Sequence, residues 1–390
     1  MNIKKIIVLV FVLAIVVLIG SLIGCERVQQ IVQPTTPQME AIDGEILVGA
    51  VYPITGRFSS ADATIAYSIE LAVEEVNNLQ GNGVKIRVIT EDDQSTIAGA
   101  VEAFNKLIHQ DKVSVILGPT SSSQVPETSP IAQQNQVVAI SPTSAAAGLS
   151  AISDFVFRTN LTTDVLIPNG VSVTQEKLGY QKVATLFDNV DLFAQISEET
   201  LRKALADNGV EILVTESYET EDVDFSDQFA RIKQLNPDAI FISSTVADIP
   251  NILTQGRALG VPSDIPFIVN LTLSRELVEA AGDAAEGTIT FTSWDSTAAT
   301  PSNQAFVQNY STQYGIKPSI WGAQFYAAIH ILAKGIADAQ STDPEAIAAA
   351  LLEIRDFDTI LGPFSFNDVG DAVYDPIVLI VKDGEFEVFE

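Results

Sequence analysis

Short, largely apolar segments alternate with longer amphipathic segments along the chain from residue 45 onward. The longer segments carry apolar residues at helical spacing and predict helices, for example over residues 65–76 and 98–110. Residues 84–88 alternate in the manner of a half-buried strand. Buried strands are predicted at residues 46–51, 113–117, 137–140, 183–187, 212–214, 239–242 and 267–269.

This alternation of strands and helices predicts an α/β protein. Repeated strand–helix units form parallel sheets that are covered by helices on both faces. In such sheets, ligands bind outside the carboxyl ends of the strands. A binding site is therefore expected in the loops that follow the predicted strands.

The first residues have the pattern of a secretory signal. Lys4 and Lys5 precede residues 6–19, fourteen positions without a polar side chain. Residues 22–25, Leu-Ile-Gly-Cys, resemble the bacterial lipobox, in which the cysteine is lipid-modified and becomes the first residue of the mature chain. The sequence therefore predicts a lipoprotein signal peptide over residues 1–24 and lipid attachment at Cys25.

An uncleaved membrane anchor is the alternative for this segment. Residues 6–23 number eighteen, and roughly 17 to 25 residues are needed to span a bilayer. Residues 25–44 lack apolar periodicity after the cysteine and predict a tether. Whether the first residues are a lipoprotein signal peptide or a membrane anchor, the rest of the chain is expected to be extracytoplasmic. It is expected to be held at the cell membrane, in a periplasm or at a cell surface.

Composition and charge exclude several classes of binding partner and functional site. The 390 residues include 21 basic and 50 acidic side chains, a formal net charge of −29. This charge argues against nucleic acid and anionic lipid surfaces, since both would repel the chain. One Cys and two His exclude an intrachain disulfide and a Cys/His zinc cage. Motifs of nucleophile elbows, phosphate-binding loops and zinc proteases are missing, so no enzymatic activity, cofactor or metal is predicted.

Two hydroxyl-rich turns follow neighbouring predicted strands. Residues 118–123 read Gly-Pro-Thr-Ser-Ser-Ser, and residues 141–145 read Ser-Pro-Thr-Ser-Ala. Hydroxyl groups and backbone N–H groups at the start of a helix favour an anion. The two turns together are suited to one carboxylate, whereas the simpler alternative is that both are ordinary helix caps.

Seven short motifs occur in order between about residue 45 and the end of the chain. In order, they are Gly49-Ala50-x-x-Pro53-x-Thr55-Gly56, Gly118-Pro119-x-Ser121-Ser122, Ile140-Ser141-Pro142, Phe157-Arg158-Thr159, Asp224-Phe225-Ser226, Gly282-Asp283-Ala284-Ala285-Glu286-Gly287 and Ile360-Leu361-Gly362-Pro363. Their order and spacing resemble those of the branched-chain amino-acid-binding proteins of bacterial transport systems. The resemblance implies two Rossmann-like lobes with parallel sheets joined by a three-crossing hinge, the type I periplasmic binding protein fold.

The resemblance also implies boundaries and partners. Lobe 1 is expected to comprise residues 45–163 and 294–374, and lobe 2 residues 164–293 and 375–390. The implied function is that of an extracytoplasmic solute-binding protein of an ABC importer, which binds an amino acid or a related small carboxylate or amide between the lobes. Its implied partners are the solute, the permease and ATPase components and, through the lipid, the membrane.

Site residues follow from the same resemblance. Ser122, beside Ser121, aligns with a residue that binds the ligand carboxylate. Ala145 departs from the pattern because the matched residue carries a hydroxyl, although its N–H remains a donor and Ser144 has a hydroxyl nearby. The other residues implied to contact the ligand are Thr143, Phe193, and either Thr245 or its neighbour Val246.

Asn270 is the main departure from the family pattern. The family has an acidic residue at this position, where it pairs with the α-ammonium of the ligand. Removing one partner of a buried charge pair typically costs about 2 to 5 kcal/mol. Either Asp191 or Asp248 therefore takes its place, or the ligand is an amide, a small carboxylate or a peptide-like solute without a free α-amine.

Three further expectations stay open at this point. Arg57, at the expected rim of the cleft, is predicted either to hold an anionic end of the ligand or to be a solvated loop residue. Trp294 and Trp321 are predicted to pack in the core or hinge. Besides transport, the sequence is compatible with a ligand-sensing or scaffold lipoprotein that regulates an envelope enzyme, and with an exported hydrolase on the same lobes.

Overall fold

The structure is a computed structural model that describes residues 45–59, 62–79, 85–270 and 273–389. The predicted signal peptide, the lipid attachment at Cys25 and the tether lie outside the described residues. Among the residues that it covers, no helix has the length and apolar character needed to cross a membrane.

The first sheet consists of five parallel strands, all of which the apolar runs or alternation had predicted except the last. Its strands are β1 (Glu45–Tyr52), β2 (Lys85–Asp92), β3 (Val115–Leu117), β4 (Val138–Ser141) and β5 (Val156–Arg158). Their spatial order is β2-β1-β3-β4-β5. The helices between them are α1 (Asp62–Asn78), α2 (Ile97–Lys106) with a π-helical continuation at Leu107–Asp111, and α3 (Val125–Gln134).

The second sheet has seven strands. They are β6 (Lys182–Asp188), β7 (Glu211–Tyr218), β8 (Ala239–Ser243), β9 (Phe267–Val269), β10 (Ile289–Thr292), β14 (Ile377–Lys382) and β15 (Glu385–Val388). The accompanying helices are α4 (Thr163–Leu178), α5 (Leu192–Asp207), α6 (Ser226–Leu235), α7 (Ile249–Ala258) and α8 (Arg275–Ala281). The five strands from β6 to β10 are parallel, and β14 and β15 extend the sheet in antiparallel fashion beside β10.

Three later helices and a small sheet pack together with the helices of the first sheet. The elements are α9 (Pro301–Tyr314), α10 (Ile320–Ala339), α11 (Pro344–Leu352), β11 (Phe357–Thr359), β12 (Gly362–Phe366) and β13 (Ala372–Val373). Helix α10 packs directly on α1. The approach requires glycine at Gly322, because a Cβ there would lie 2.6 Å from the carbonyl oxygen of Thr64.

The chain passes three times between the regions of the two sheets. It leaves the first sheet after β5, returns after β10 to form α9, and joins the second sheet again at β14. We call each sheet with its helices a lobe. The predicted α/β class with two lobes and a three-crossing hinge is confirmed.

Candidate ligand-binding site

A cavity of about 100 Å³ lies between the two lobes, where loops follow the carboxyl ends of strands in both sheets. Lobe 1 contributes Ser121, Ser122, Thr143 and Ala145 from the predicted set. Lobe 2 contributes Phe193, Thr245 and Asn270. The cavity is smaller than the ~300 to 1,000 Å³ of pockets for drug-sized ligands, so its dimensions suit a small solute.

Ser122 joins the two hydroxyl-rich turns. Its Oγ accepts hydrogen bonds from the backbone N–H groups of Ala145, at 3.2 Å, and Ala146, at 3.1 Å. Helix α3 has Gln124 at its N-cap, without a side-chain capping bond, so the helix-cap alternative is wrong for Ser122. With both acceptor positions of the hydroxyl occupied, its proton remains to be donated.

The turn after β4 uses its polar groups differently from expectation. The N–H of Ala145, expected to face the ligand, binds Ser122 instead. The hydroxyl of Thr143 donates to the carbonyl oxygen of Thr120 at 2.7 Å. Ser144 is not part of the cavity wall, because its Oγ is held 2.6 Å from Ser141 Oγ inside the lobe. The hydroxyls of Ser121 and Ser122 therefore provide the donors in this part of the cavity.

Arg57 does not line the cavity and is not a solvated loop residue. Its Nη2 lies 3.0 Å from Oδ1 and 3.1 Å from Oδ2 of Asp248, and 3.2 Å from Oγ1 of Thr245. Burial raises the pKa of Asp248, and the nearby Arg57 charge opposes this change. Because Asp248 already neutralises Arg57, the guanidinium bridges the lobes rather than presenting a free charge to a ligand.

A second bridge joins the lobes at Asp191. Ser123 Oγ donates to Asp191 Oδ2 at 2.9 Å and accepts from the N–H of Leu192 at 3.3 Å. Asp191 also caps α5, since its Oδ1 accepts from the N–H of Ala194 at 3.1 Å. Asp191 lines the cavity, and both of its hydrogen-bond donors are uncharged, so they do not neutralise the carboxylate.

Asn270 follows β9 and is almost fully buried, with 1% of its surface exposed. Its Nδ2 donates to Ser243 Oγ at 2.9 Å, and its backbone N–H donates to the carbonyl of Ile242. Its Oδ1 has no hydrogen-bond partner among the described residues. A neutral amide therefore stands where the family resemblance implies a carboxylate.

The start of α10 contributes residues that the sequence interpretation did not assign to the site. Trp321, predicted to pack in the core or hinge, and Gln324 both line the cavity. Ser319 caps this helix through its Oγ, which accepts from the N–H of Gly322 at 3.3 Å. The signal available in the sequence was a polar residue in an apolar helix, three positions after an aromatic one and so on the same face.

Gln324 also connects the cavity to the hinge. Its Nε2 donates to Ser293 Oγ at 2.9 Å and to the hydroxyl of Tyr374 at 3.2 Å. Ser293 Oγ in turn donates to Asn160 Oδ1 at 2.6 Å. Asn160, Ser293 and Tyr374 each lie near a different passage of the chain between the lobes, so one cavity residue links all three.

The two histidines lie outside the cavity wall. His109 belongs to the π-helical turn after α2, and His330 Nε2 is 3.4 Å from Glu75 Oε2 on the packed helices. The described part of the chain contains no group of three or more His, Cys, Asp or Glu residues arranged to hold a metal ion.

Comparison with known proteins gives a consistent result. The family described as periplasmic binding protein matches residues 45–384. The chain is similar to the Leu/Ile/Val-binding protein homolog 2 of Brucella abortus (strain 2308), with 28% identity over 355 residues that cover 89% of this chain and 94% of the relative.

Solved structures share the fold. A leucine binding protein from Thermotoga maritima has a TM-score of 0.83 and 26% identity, over 88% of this chain and 98% of that chain. A branched-chain amino acid transporter substrate binding protein from Streptococcus pneumoniae has a TM-score of 0.82 and 23% identity, over 88% and 98% of the two chains. With a family match over most of its length, two α/β lobes and a cavity between them, this chain belongs to the periplasmic binding protein family.

Proposed function

We propose that this chain is the extracytoplasmic solute receptor of an ABC importer, and that it binds an amino acid or a related small carboxylate or amide between its lobes. The Brucella relative is named for binding leucine, isoleucine and valine, and the Thermotoga neighbour for binding leucine. The observation that carries the proposal is the cavity, where Ser122 retains an available hydroxyl proton and apolar side chains such as Phe193 and Trp321 form much of the wall.

In this proposal, lobe 1 captures the negative end of the solute. The hydroxyls of Ser121 and Ser122 donate to a carboxylate or carbonyl oxygen, near the N-terminus of α3. The partial positive charge at a helix N-terminus favours such a group. Phe193 and Thr245 then contact the solute from lobe 2.

The chemistry is binding followed by closure of the two lobes. We assign residues 45–163 and 294–374 to lobe 1, and residues 164–293 and 375–390 to lobe 2. A solute that contacts both lobes favours the closed arrangement to the extent of its preference for that arrangement. The permease is the partner that would bind the closed arrangement in preference to the open one.

The proposal also states how the chain is exported and anchored to the membrane. Residues 1–24 act as a lipoprotein signal peptide, Cys25 carries the lipid, and residues 25–44 tether the lobes to the membrane. Labelling with a fatty-acid analogue tests this part, since incorporation should be lost in Cys25→Ala.

A thermal-shift screen tests solute binding. The panel comprises branched-chain and other amino acids, amides, ureas and short carboxylates. A solute at 100 times its Kd stabilises the native state by about 2.7 kcal/mol, so at least one member should raise the melting temperature. Ser122→Ala should reduce that shift, whereas Ser172→Ala, on an exposed face of α4, should leave it unchanged. A panel without any shift would contradict the proposal.

A further inference from the structure

Asp191 is the one ionisable side chain among the described residues of the cavity wall. Its carboxylate accepts hydrogen bonds from the hydroxyl of Ser123, at 2.9 Å, and from the backbone N–H of Ala194, at 3.1 Å. Neither donor carries a charge, and in the described part of the chain no basic side chain forms an ion pair with Asp191. The negative charge of Asp191 is therefore left without a partner of opposite sign.

The surroundings of Asp191 make a positive charge in the cavity favourable. Burial raises the pKa of its carboxyl group, and the nearby Asp188 carboxylate raises it further. A desolvated carboxylate is stabilised by an opposite charge, because Coulomb attraction is stronger where water is excluded. Asp191 also caps α5, and its full negative charge exceeds the partial charge of about +0.5 at the helix N-terminus.

Asp248, the other acidic residue expected near the solute, does not offer a free charge. It lies outside the cavity wall, and its carboxylate is 3.0 Å from Nη2 of Arg57. Asn270 belongs to the wall, but its side chain is neutral whichever way its amide group is oriented. Of these three positions, only Asp191 provides a free charge to the cavity.

Asp191 lies beside the serine turn that is proposed to hold the carboxylate of the solute. Its Oδ2 is 2.9 Å from Ser123 Oγ, and Ser123 directly follows Ser121 and Ser122 in the turn after β3. Consecutive Cα atoms are only about 3.8 Å apart, so the negative charge of lobe 2 and the hydroxyl donors of lobe 1 are neighbours across the cleft. In an α-amino acid the ammonium and the carboxylate are likewise attached to one carbon atom.

Gln324 supplies a second acceptor in the wall. Its Nε2 donates to Ser293 Oγ and to the hydroxyl of Tyr374, whose own protons are donated to Asn160 Oδ1 and to a backbone carbonyl oxygen. Exchanging the oxygen and nitrogen of Gln324 would place an acceptor against two hydroxyls without a proton to offer. Gln324 Oε1 is buried without a partner among the described residues, so it requires a donor. An ammonium group has three N–H donors, enough for both Asp191 and Gln324.

We infer that Asp191 binds the ammonium group of the solute, in place of an acidic residue at position 270, and that the solute is an α-amino acid rather than a carboxylate or amide without an amine. This inference rests on the proposed function, since it assumes that Ser121 and Ser122 hold the carboxylate. The charge pair moves from the end of β9 to the residue that caps α5. Because Asp191 also accepts from Ser123 of lobe 1, the ammonium is bound where the two lobes meet.

Matched pairs of probes test the inference. Each pair consists of an L-amino acid and the acid that lacks only its amine: L-alanine and propanoate, L-leucine and 4-methylpentanoate, and L-phenylalanine and 3-phenylpropanoate. Isothermal titration of the full mature chain measures each Kd. At least one of the amino acids should bind, and it should bind roughly tenfold or more tightly than its deaminated partner, as expected for one member of a buried charge pair.

Asp191→Asn provides the matched change in the protein. Asn is as good a helix N-cap as Asp, so the start of α5 is retained while the charge is lost. The affinity for the amino acid should fall by roughly tenfold or more. The affinity for the deaminated acid should stay the same or rise, because its carboxylate no longer lies near a negative charge. A residue that only bridged the lobes would instead weaken both members of a pair.

Asp207→Asn is the control for the loss of charge. Asp207 lies at the exposed C-terminal end of α5, outside the cavity wall. Its substitution removes the same charge from the same helix and should change neither affinity.

The possible results separate the inference from the proposed function. A deaminated acid that binds the wild-type protein as tightly as its amino acid would overturn the inference and leave the solute-receptor function standing. An Asp191→Asn variant that binds the amino acid as the wild type does, or that weakens both members of a pair equally, would overturn it in the same way. So would a solute panel in which only compounds without an amine raise the melting temperature. Failure of every probe and of the whole panel to bind would overturn both.

Discussion

Arg57 of lobe 1 and Asp248 of lobe 2 form an ion pair across the cleft, with Nη2 3.0 Å from Oδ1. The Asp248 side chain is 9% exposed, and it also accepts hydrogen bonds from Thr245 at 3.0 Å and from the hydroxyl of Tyr218 at 3.3 Å. Thr245 itself lines the cavity. The pair therefore connects lobe closure to the cavity wall without occupying the solute position.

Arg57→Ala should accelerate solute release. The ion pair forms only when the lobes are together, so its loss shifts the equilibrium toward the open arrangement. We expect the dissociation rate to rise roughly tenfold, equivalent to about 1.4 kcal/mol, with a much smaller change in the association rate. Stopped-flow fluorescence with any solute from the thermal-shift panel measures both rates.

Arg87→Ala is the control for that experiment, because Arg87 pairs with Glu45 on the exposed side of lobe 1. Its solute kinetics should equal those of the wild type. Unchanged dissociation in Arg57→Ala, or an equal effect of both substitutions, would argue against a role of the Arg57–Asp248 pair in closure.

Stability should increase as the pH falls from neutrality towards the ordinary carboxyl range. Burial raises the pKa values of Asp93, Glu198 and Asp248 above the ordinary carboxyl range. A carboxyl whose folded pKa exceeds its unfolded pKa binds more protons in the native state, so the free energy of unfolding decreases as the pH rises through that interval. Lower net charge also reduces self-repulsion of a chain that carries −29 at neutral pH.

Guanidinium unfolding at constant ionic strength measures this dependence. Asp93→Asn removes one of the buried carboxyls, which accepts from Ser95 and Thr120, and it should flatten part of the slope. A free energy of unfolding that falls as the pH is lowered over this range would show that the buried carboxyls are not the dominant titrating groups.

Tyr374→Phe should weaken the hinge. The Tyr374 hydroxyl donates to the carbonyl oxygen of Thr159 at 3.0 Å and accepts from Gln324. Deleting it leaves buried polar groups with fewer partners, at an expected cost of about 1 to 3 kcal/mol in the free energy of unfolding. Tyr314→Phe removes a hydroxyl from a partly exposed ring and should change stability much less. Equal stabilities of the two variants would contradict the importance of the hinge network.

The α/β class was predictable because many of the strands are short, buried apolar runs, whereas the two lobes and the hinge came from the family resemblance. Residues 267–269 match β9, and residues 137–140 differ from β4 by one position. The small sheet β11–β13 was missed, since its strands mix exposed and buried positions and form no fully buried apolar run of the kind that predicted the equally short β9. The π-helical turn at the end of α2, residues 107–111, was not predicted, because the spacing of apolar residues does not distinguish a π-helix from an α-helix.

The site was predictable only where it is local. The hydroxyl-rich turn that contains Ser122 was suggested by its position after β3, whereas Ser122 itself and Asn270 were assigned through the family resemblance. Arg57 and Asp248 are separated by 191 residues, and no local pattern pairs them. The orientation of Ser144 away from the cavity depends on its contact with Ser141, which composition does not reveal. The roles of these residues in binding stay predictions.

Fluorescence of Trp321 tests occupancy of the cavity most directly. The chain has two tryptophans, and Trp294→Phe leaves Trp321, which lines the cavity, as the sole indole. Titration with solutes that raise the melting temperature should give a saturable change in its emission, and Ser122→Ala should move the midpoint to higher concentration. A melting temperature raised by a solute while Trp321 emission stays constant would contradict binding between the lobes.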